Sequence, residues 1–329
     1  MKDLIRRLVE SYGPSGAEEQ VREVIRTEVG PVVDDVRVDA LGSLIVHVEG
    51  DGGGQRLLLD AHMDEIGAMV TYVDEDGFAR FTRIGGVRAL NCVGSRVAFG
   101  DGRIGVIGIE QKRDEPDKAP KLEDLYIDLG ATSRDDCPVQ VGDAAVFVRP
   151  FVAQGSRFIS KAMDDRVGCA ALVEVLRRLE STPHDLYVVF AVQEEVGLRG
   201  ARTSAYGIDP DVAIAVDVTL TGDTPESKPM AVKLGGGPAV KVKDRGMIAH
   251  PKVRRLLVER AEGAGIPYQL EVLEGGTTDA AAVQLVRAGV PAGCLSIPCR
   301  YVHSPSEMVD AGDVENAVQL LLEVLQKPF

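Results

Sequence analysis

Tryptophan is absent from this 329-residue sequence, and aromatic residues make up only 5% of it. Flat faces on which a sugar ring stacks are therefore scarce. Cysteine is scarce, odd in number and scattered: Cys92, Cys137, Cys169, Cys294 and Cys299 never fall in a CxxC pair. That argues against a disulfide framework and a zinc ribbon, and fits a reducing compartment. No apolar run approaches the ~18 residues that a membrane span needs. The charged amphipathic start, Met1-Lys2-Asp3-Leu4-Ile5-Arg6-Arg7, is followed by no apolar signal core, so the expected location is the cytoplasm. Basic residues are in deficit, 37 Lys and Arg against 51 Asp and Glu, for a net charge of −14. Nucleic acid and anionic membranes are poor partners for such a chain. The excess acid serves solubility, or part of it clusters to hold cations; charge alone does not separate the two.

What is present is enough apolar residue, 45%, for the core of one large domain or two ordinary ones. Leu4, Ile5, Leu8 and Val9 recur at helical spacing before the Gly13-Pro14-Ser15-Gly16 break. Ser15 followed by Glu18 predicts a capping box opening a second helix to about Glu28. Strands are expected near 36–38, 44–48 and 57–59. From about residue 67 to 157 the text becomes short β runs punctuated by turns such as Asp74-Glu75-Asp76-Gly77 and Gly85-Gly86. Beyond Ser160, helices (167–179, 253–261, 280–287, 314–325) alternate with buried-type strands (186–192, 212–216, 292–297). That alternation predicts an α/β domain with a mostly parallel sheet covered by helices, interrupted by an inserted β-rich domain.

In an open α/β sheet, chemistry gathers where the strands end at their carboxyl side. Leu57-Leu58-Leu59 runs into Asp60-Ala61-His62-Met63-Asp64, and the strand at 187–192 runs into Gln193-Glu194-Glu195. The strand at 212–216 ends on Asp217, and the strand at 294–297 is followed by His303. Asp164-Asp165 adds an acidic pair just before a helix, where acids also serve as plain caps. Each of these is weak alone. Together they are not, because burying several carboxylates in one place costs too much unless cations neutralise them. His, Asp and Glu without Cys are the ligands of catalytic zinc, cobalt or manganese. His47, in an alternating strand, His184, in a turn, and His250, before Pro251, follow no core strand and are read as structural.

The segments His62-Met63-Asp64-Glu65-Ile66-Gly67, Lys161-Ala162-Met163-Asp164-Asp165-Arg166, Gln193-Glu194-Glu195-Val196-Gly197, Ala215-Val216-Asp217, Gly276-Thr277-Thr278-Asp279-Ala280 and Tyr301-Val302-His303-Ser304-Pro305 resemble the M42 metallo-aminopeptidases. This is the group of tetrahedral TET and glutamyl aminopeptidases. The segments stand in the family's order and span nearly the whole chain. The resemblance implies two divalent ions per subunit, zinc or cobalt, with manganese also suited to these ligands. It implies that Asp164 bridges both ions, that His62 and Asp217 complete one site, and that Glu195 and His303 complete the other. Glu194 would be the general base, with a metal-bridging hydroxide as nucleophile. Asp64 would be a catalytic residue holding the other imidazole nitrogen of His62, and Thr278 and Asp279 would face the substrate. The doubled threonine at Thr277-Thr278 departs from the family's single one and leaves that loop's role open. A cis peptide between Asp164 and Asp165 is implied as well. Residues 1–66 and 158–329 would form the catalytic α/β domain, and 67–157 a β-barrel-like dimerisation domain. Substrates would be short peptides with free N-termini, and dimers would build a tetrahedral dodecamer.

Other co-catalytic metal amidohydrolases of this broad fold, carboxypeptidases and N-deacylases, place the bridging Asp much sooner after the first His and insert their extra domain later. Here 102 residues separate His62 from Asp164. A glycosidase needs two carboxyls facing each other ~5–9.5 Å apart, whereas Glu194 and Glu195, adjacent on an extended strand, would point to opposite sides. A non-catalytic scaffold would be expected to lack a ligand or the base, and none is missing.

Overall fold

A computed structural model describes residues 1–110 and 119–329; residues 111–118 of the expected insertion lie outside the described residues. The chain opens with α1 (Lys2–Glu10) and α2 (Glu19–Val29), then β1 (Asp35–Val38), β2 (Leu44–Val48) and β3 (Arg56–His62). Six strands follow: β4 (Gly67–Val73), β5 (Ala79–Ile84), β6 (Arg96–Phe99), β7 (Ile104–Ile109), β8 (Leu125–Asp128) and β9 (Ala144–Phe147). Next come β10 (Val152–Gln154), β11 (Arg157–Ser160), α3 (Met163–Arg178), β12 (Asp185–Ala191), α4 (Arg199–Ile208) and β13 (Val212–Thr219). The chain closes with β14 (Ala239–Lys243), α5 (Pro251–Ala264), β15 (Gln269–Val272), α6 (Ala280–Val283), β16 (Ala292–Arg300), β17 (Glu307–Asp310) and α7 (Ala311–Leu325).

Among the described residues, eleven strands form one mixed sheet. Its centre, β12-β3-β13-β16, is parallel, as the alternation of strands with helices predicts. Its flanks are antiparallel, with β1 and β2 beside β12 and β17, β11 and β10 beyond β16. Side chains alternate between the faces of a strand, and the two apolar layers follow that period. Leu57, Leu59 and Ala61 of β3, with Ile214 and Val216 of β13, pack with α1, α2, α3, α5 and α7. Leu58, Ala213 and Ala215 face the other way, under α4 and α6. β4 through β9 close into an antiparallel barrel, in the order β4-β5-β8-β7-β6-β9, around its own core of Val70, Phe81, Val97, Ile107, Ile127 and Phe147. No helix among the described residues is long and apolar enough to cross a membrane.

Several local expectations are corrected. No capping box opens α2: Glu18 is the N-cap residue with no side-chain cap bond, because Ser15 donates instead to Asp64 Oδ2 at 2.5 Å. The helix expected over 280–287 is cut to α6. After Val283 the N–H groups of Leu285 and Val286 reach back only three residues, and Arg287 turns left-handed at φ +51. The strand expected to end before Asp217 runs on to Thr219. The helix expected from 167 is regular from Arg166; α3 takes in Met163 only across a kink at Asp164 and Asp165. α4, β14, β15 and β17 are elements that the sequence reading does not mark.

Candidate active site

The period of two that sorts the core also aims the chemistry. Leu58, Asp60 and His62 share one face of β3, and Ala213, Ala215 and Asp217 share the same face of β13. His62 and Asp217 therefore emerge together where those strands end. Asp164 comes to them from the first turn of α3, where the Asp164–Asp165 peptide is cis, as expected. His62 Nε2 lies 3.0 Å from Asp164 Oδ1 and 3.9 Å from Asp217 Oδ1. On the other side of the same carboxylate, His303 Nε2 lies 3.3 Å from Asp164 Oδ2 and 3.3 Å from Glu195 Oε1. Two groups of donor atoms thus share Asp164: His62, Asp164 and Asp217, and Asp164, Glu195 and His303. Each group fits within 4.8 Å.

Glu194 belongs to neither group. Its Oε2 stands 4.0 Å from His62 Nε2, and it lines a cavity of about 590 Å³ together with Glu195, Asp164, Asp217 and both imidazoles. Glu194 and Glu195 do not sit on an extended strand. β12 ends at Ala191, Gln193 turns left-handed at φ +56, and both acids face the cavity from the bend that follows. What holds this bend is Asp64, whose Oδ1 accepts the Glu194 N–H at 2.9 Å and whose Oδ2 accepts the Glu195 N–H at 3.2 Å. Asp64 also serves His62: Nδ1 lies 3.2 Å from the Asp64 carbonyl and 3.4 Å from its Oδ1. A proton held on Nδ1 leaves Nε2 free to coordinate.

The electrostatics tests whether cations fit. Burial pushes the Asp217 and Glu194 carboxyls well above the ordinary range, and neighbouring carboxylates push further. Burial likewise raises Glu195, against the pull of His303. Burial disfavours the His303 charge, yet Asp164 and Glu195 outweigh it and push its pKa up to about 12. Two imidazoles set among this many buried carboxylates are a poor substitute for divalent charge. The donors are nitrogen and oxygen throughout, the set preferred by catalytic zinc, cobalt or manganese, so the residues fit divalent cations.

Thr278 lines the cavity, and Thr277 beside it reaches Asp244 Oδ1 at 3.5 Å. Asp279 does not line it: the side chain is buried at the start of α6, where burial and the nearby Asp60 raise its pKa. The three histidines read as structural are so. His47 bonds Asp35 and Asp185, His184 bonds Gln55 N and the Lys327 carbonyl, and His250 caps α5.

Two features were missed. Gly85-Gly86, read as a turn, is where the barrel walls the cavity: a Cβ on Gly86 would meet His303 Nδ1 at 2.1 Å, and one on Gly85 would meet Glu195 Oε2 at 2.7 Å. Glu307, in a Ser-Pro-Ser-Glu stretch with no chemical signature, is buried against the backbones of Asp164 and His303.

Fold and site together define a hydrolytic enzyme whose centre fits divalent cations. A family model described as M42 glutamyl aminopeptidase matches residues 42–320, and the chain belongs to that family of peptide-bond hydrolases. A putative aminopeptidase of Acetivibrio thermocellus is 51% identical over 99% of this chain and 98% of its own. The lysyl aminopeptidase of Pyrococcus furiosus is 36% identical over 99% and 96%. Among solved structures, an aminopeptidase of Desulfurococcus kamchatkensis superposes with a TM-score of 0.95 at 43% identity, covering 98% of this chain and 94% of its own. The TET1 peptidase of Pyrococcus horikoshii, which can assemble into a tetrahedron or a large octahedral shell, superposes at 0.87 with 34% identity over 99% of both chains.

Proposed function

We propose that this enzyme removes residues one at a time from the N-termini of short peptides, using two divalent ions, zinc or cobalt. The observation that carries the reading is the division of Asp164, one carboxylate oxygen toward His62 and the other toward His303, each with a further carboxylate at hand. His62, Asp164 and Asp217 would hold one ion, and Asp164, Glu195 and His303 the other. Bound there, divalent ions supply Lewis acidity: they lower the pKa of water toward ~7, polarise the scissile carbonyl and engage the free α-amine. Glu194 is the general base. It faces the cavity without a place in either donor group, so it takes the proton of the attacking water and hands it to the leaving amine. Asp64 orients His62 through Nδ1 and fixes the bend that presents Glu194 and Glu195. Thr278 contributes a wall to the substrate side.

We take residues 67–157 as a dimerisation unit inserted between the two parts of the catalytic domain, 1–66 and 158–329. Dimers made through it would build a tetrahedral dodecamer, a form consistent with what the Pyrococcus horikoshii TET1 peptidase does. The five unpaired thiols suit a cytoplasmic site of action.

The test is a panel of amino-acid anilides and short peptides assayed with metal-stripped and remetallated enzyme. Chelation should abolish hydrolysis, Zn²⁺ or Co²⁺ should restore it, and N-acetylated peptides should resist. Full activity in metal-free protein, or cleavage inside blocked peptides, overturns the reading.

A further inference from the structure

Strand β17 lies between β11 and β16, pairing with both. These are the two strands whose following segments carry Asp164 and His303. Glu307 opens β17 opposite Ser160, the last residue of β11. Its side chain is 1% exposed, and both oxygens are used: Oε2 accepts the backbone N–H of Asp164 at 3.0 Å, and Oε1 accepts that of His303 at 2.8 Å. We propose that Glu307 is a positioning residue whose carboxylate fixes the Asp164 and His303 backbones so that their side chains meet at one metal ion.

Closing a turn would explain the bond to His303, four residues away. It does not explain the bond to Asp164, 143 residues away in the chain. His303 stands at φ +61, a left-handed conformation that costs energy for a residue other than glycine, and an acceptor on its N–H helps to hold it there. Only a carboxylate supplies two acceptors at this spacing. A glutamine supplies one and turns an N–H toward the second backbone N–H, and an aspartate is one methylene short. The arrangement mirrors Asp64, which accepts the N–H groups of Glu194 and Glu195. Backbone segments that carry Asp164, Glu195 and His303 are thus held from behind by buried carboxylates that accept their N–H groups. Groups that support metal ligands in this way are commonly worth about 10–100-fold in metal affinity or activity.

The inference rests on the two-ion reading, and the test separates the two. Metal-free wild type and Glu307→Gln are titrated with Zn²⁺ by calorimetry, and the metal-free proteins are compared by circular dichroism. Wild type should take up two ions. Glu307→Gln should weaken both ions, which share Asp164, but the one held with Glu195 and His303 more, by about 10–100-fold, with kcat recovering as metal is raised. If Glu307→Gln does not fold, Glu307→Asp is read in the same way. A folded variant that binds both ions as wild type does, or that loosens both equally, overturns this inference alone. A wild type that takes up no ions overturns the proposed function as well.

Discussion

Glu194 and Glu195 are neighbours in sequence and both face the cavity, but only Glu195 has an imidazole, that of His303, at 3.3 Å. On the proposed reading Glu194 is the base and Glu195 a ligand, and two isosteric variants test that division. Glu194→Gln should keep its full metal content and lose about 10²–10⁴ in kcat, the usual loss when a general base is removed. Glu195→Gln should instead lose metal from one site, seen as a lower metal-to-protein ratio after dialysis. The reverse pair of phenotypes would exchange the two roles. Asp64 explains how both acids reach the cavity from adjacent positions. Its two oxygens pin their N–H groups, so the chain bends where a strand would have sent one side chain away.

Between elements, the contact between the barrel and the sheet decides the shape of the cavity. The loop after β5 passes so close to His303 that a Cβ on Gly86 would stand 2.1 Å from Nδ1. Gly86→Ala should leave the fold intact while pushing His303 aside, lowering kcat by on the order of 10²-fold, the scale that a displacement of about 1 Å brings. Gly263→Ala is the control: a Cβ there, inside α5, meets nothing within 4 Å. It should raise stability by about 0.5–1 kcal/mol with activity unchanged, measured by thermal melting and steady-state kinetics.

A second element-level prediction concerns β2, where His47 ties β1 to β12 through Asp35 and Asp185. Tyr187 stacks on its ring at 4.4 Å, and Arg56 reaches Asp185 at 3.3 Å. Burial opposes the imidazolium, but the bonds to Asp185 and then Asp35 outweigh it, so the pKa is raised. A raised pKa means that the folded state holds the proton more tightly than the unfolded chain. The stabilisation is then complete below ~6.5 and is lost as pH rises through the folded value. The melting temperature of the wild type should fall across that window relative to His47→Gln. Parallel profiles for the two proteins would show that the contact contributes nothing, a real alternative for a partly exposed pair.

For the whole molecule the question is what the barrel's outer face meets. Tyr72, Ile104, Val106 and Val141 are exposed on the barrel unit, and apolar groups on a strand-rich module are natural sites of subunit pairing. Twelve chains of 35.2 kDa would form a particle of about 422 kDa, because closed symmetry fixes the copy number. Light scattering should find that mass, or a stable dimer, and folded proteins should resist digestion by the closed particle. An active 35 kDa monomer would leave the barrel only its role in walling the cavity.

The central strands, most of the helices that cover them and the residues at the strand ends were readable in the sequence. Buried parallel strands are continuous apolar runs, and their period of two is a local property that needs no knowledge of the chain's path. For this reason His62, Asp217, Glu194, Glu195 and His303 were legible as groups delivered to one edge. Tertiary contacts decided the rest: that the sheet's flanks run antiparallel, that Ser15 serves Asp64 rather than a helix, and that Asp279 is buried at the start of α6. They also decided that Gly86 presses on His303 and that Glu307 holds Asp164. Each of these contacts joins segments far apart in the chain, such as the 143 residues between Asp164 and Glu307. A glycine or a glutamate in a turn carries no mark of the distant backbone that it meets.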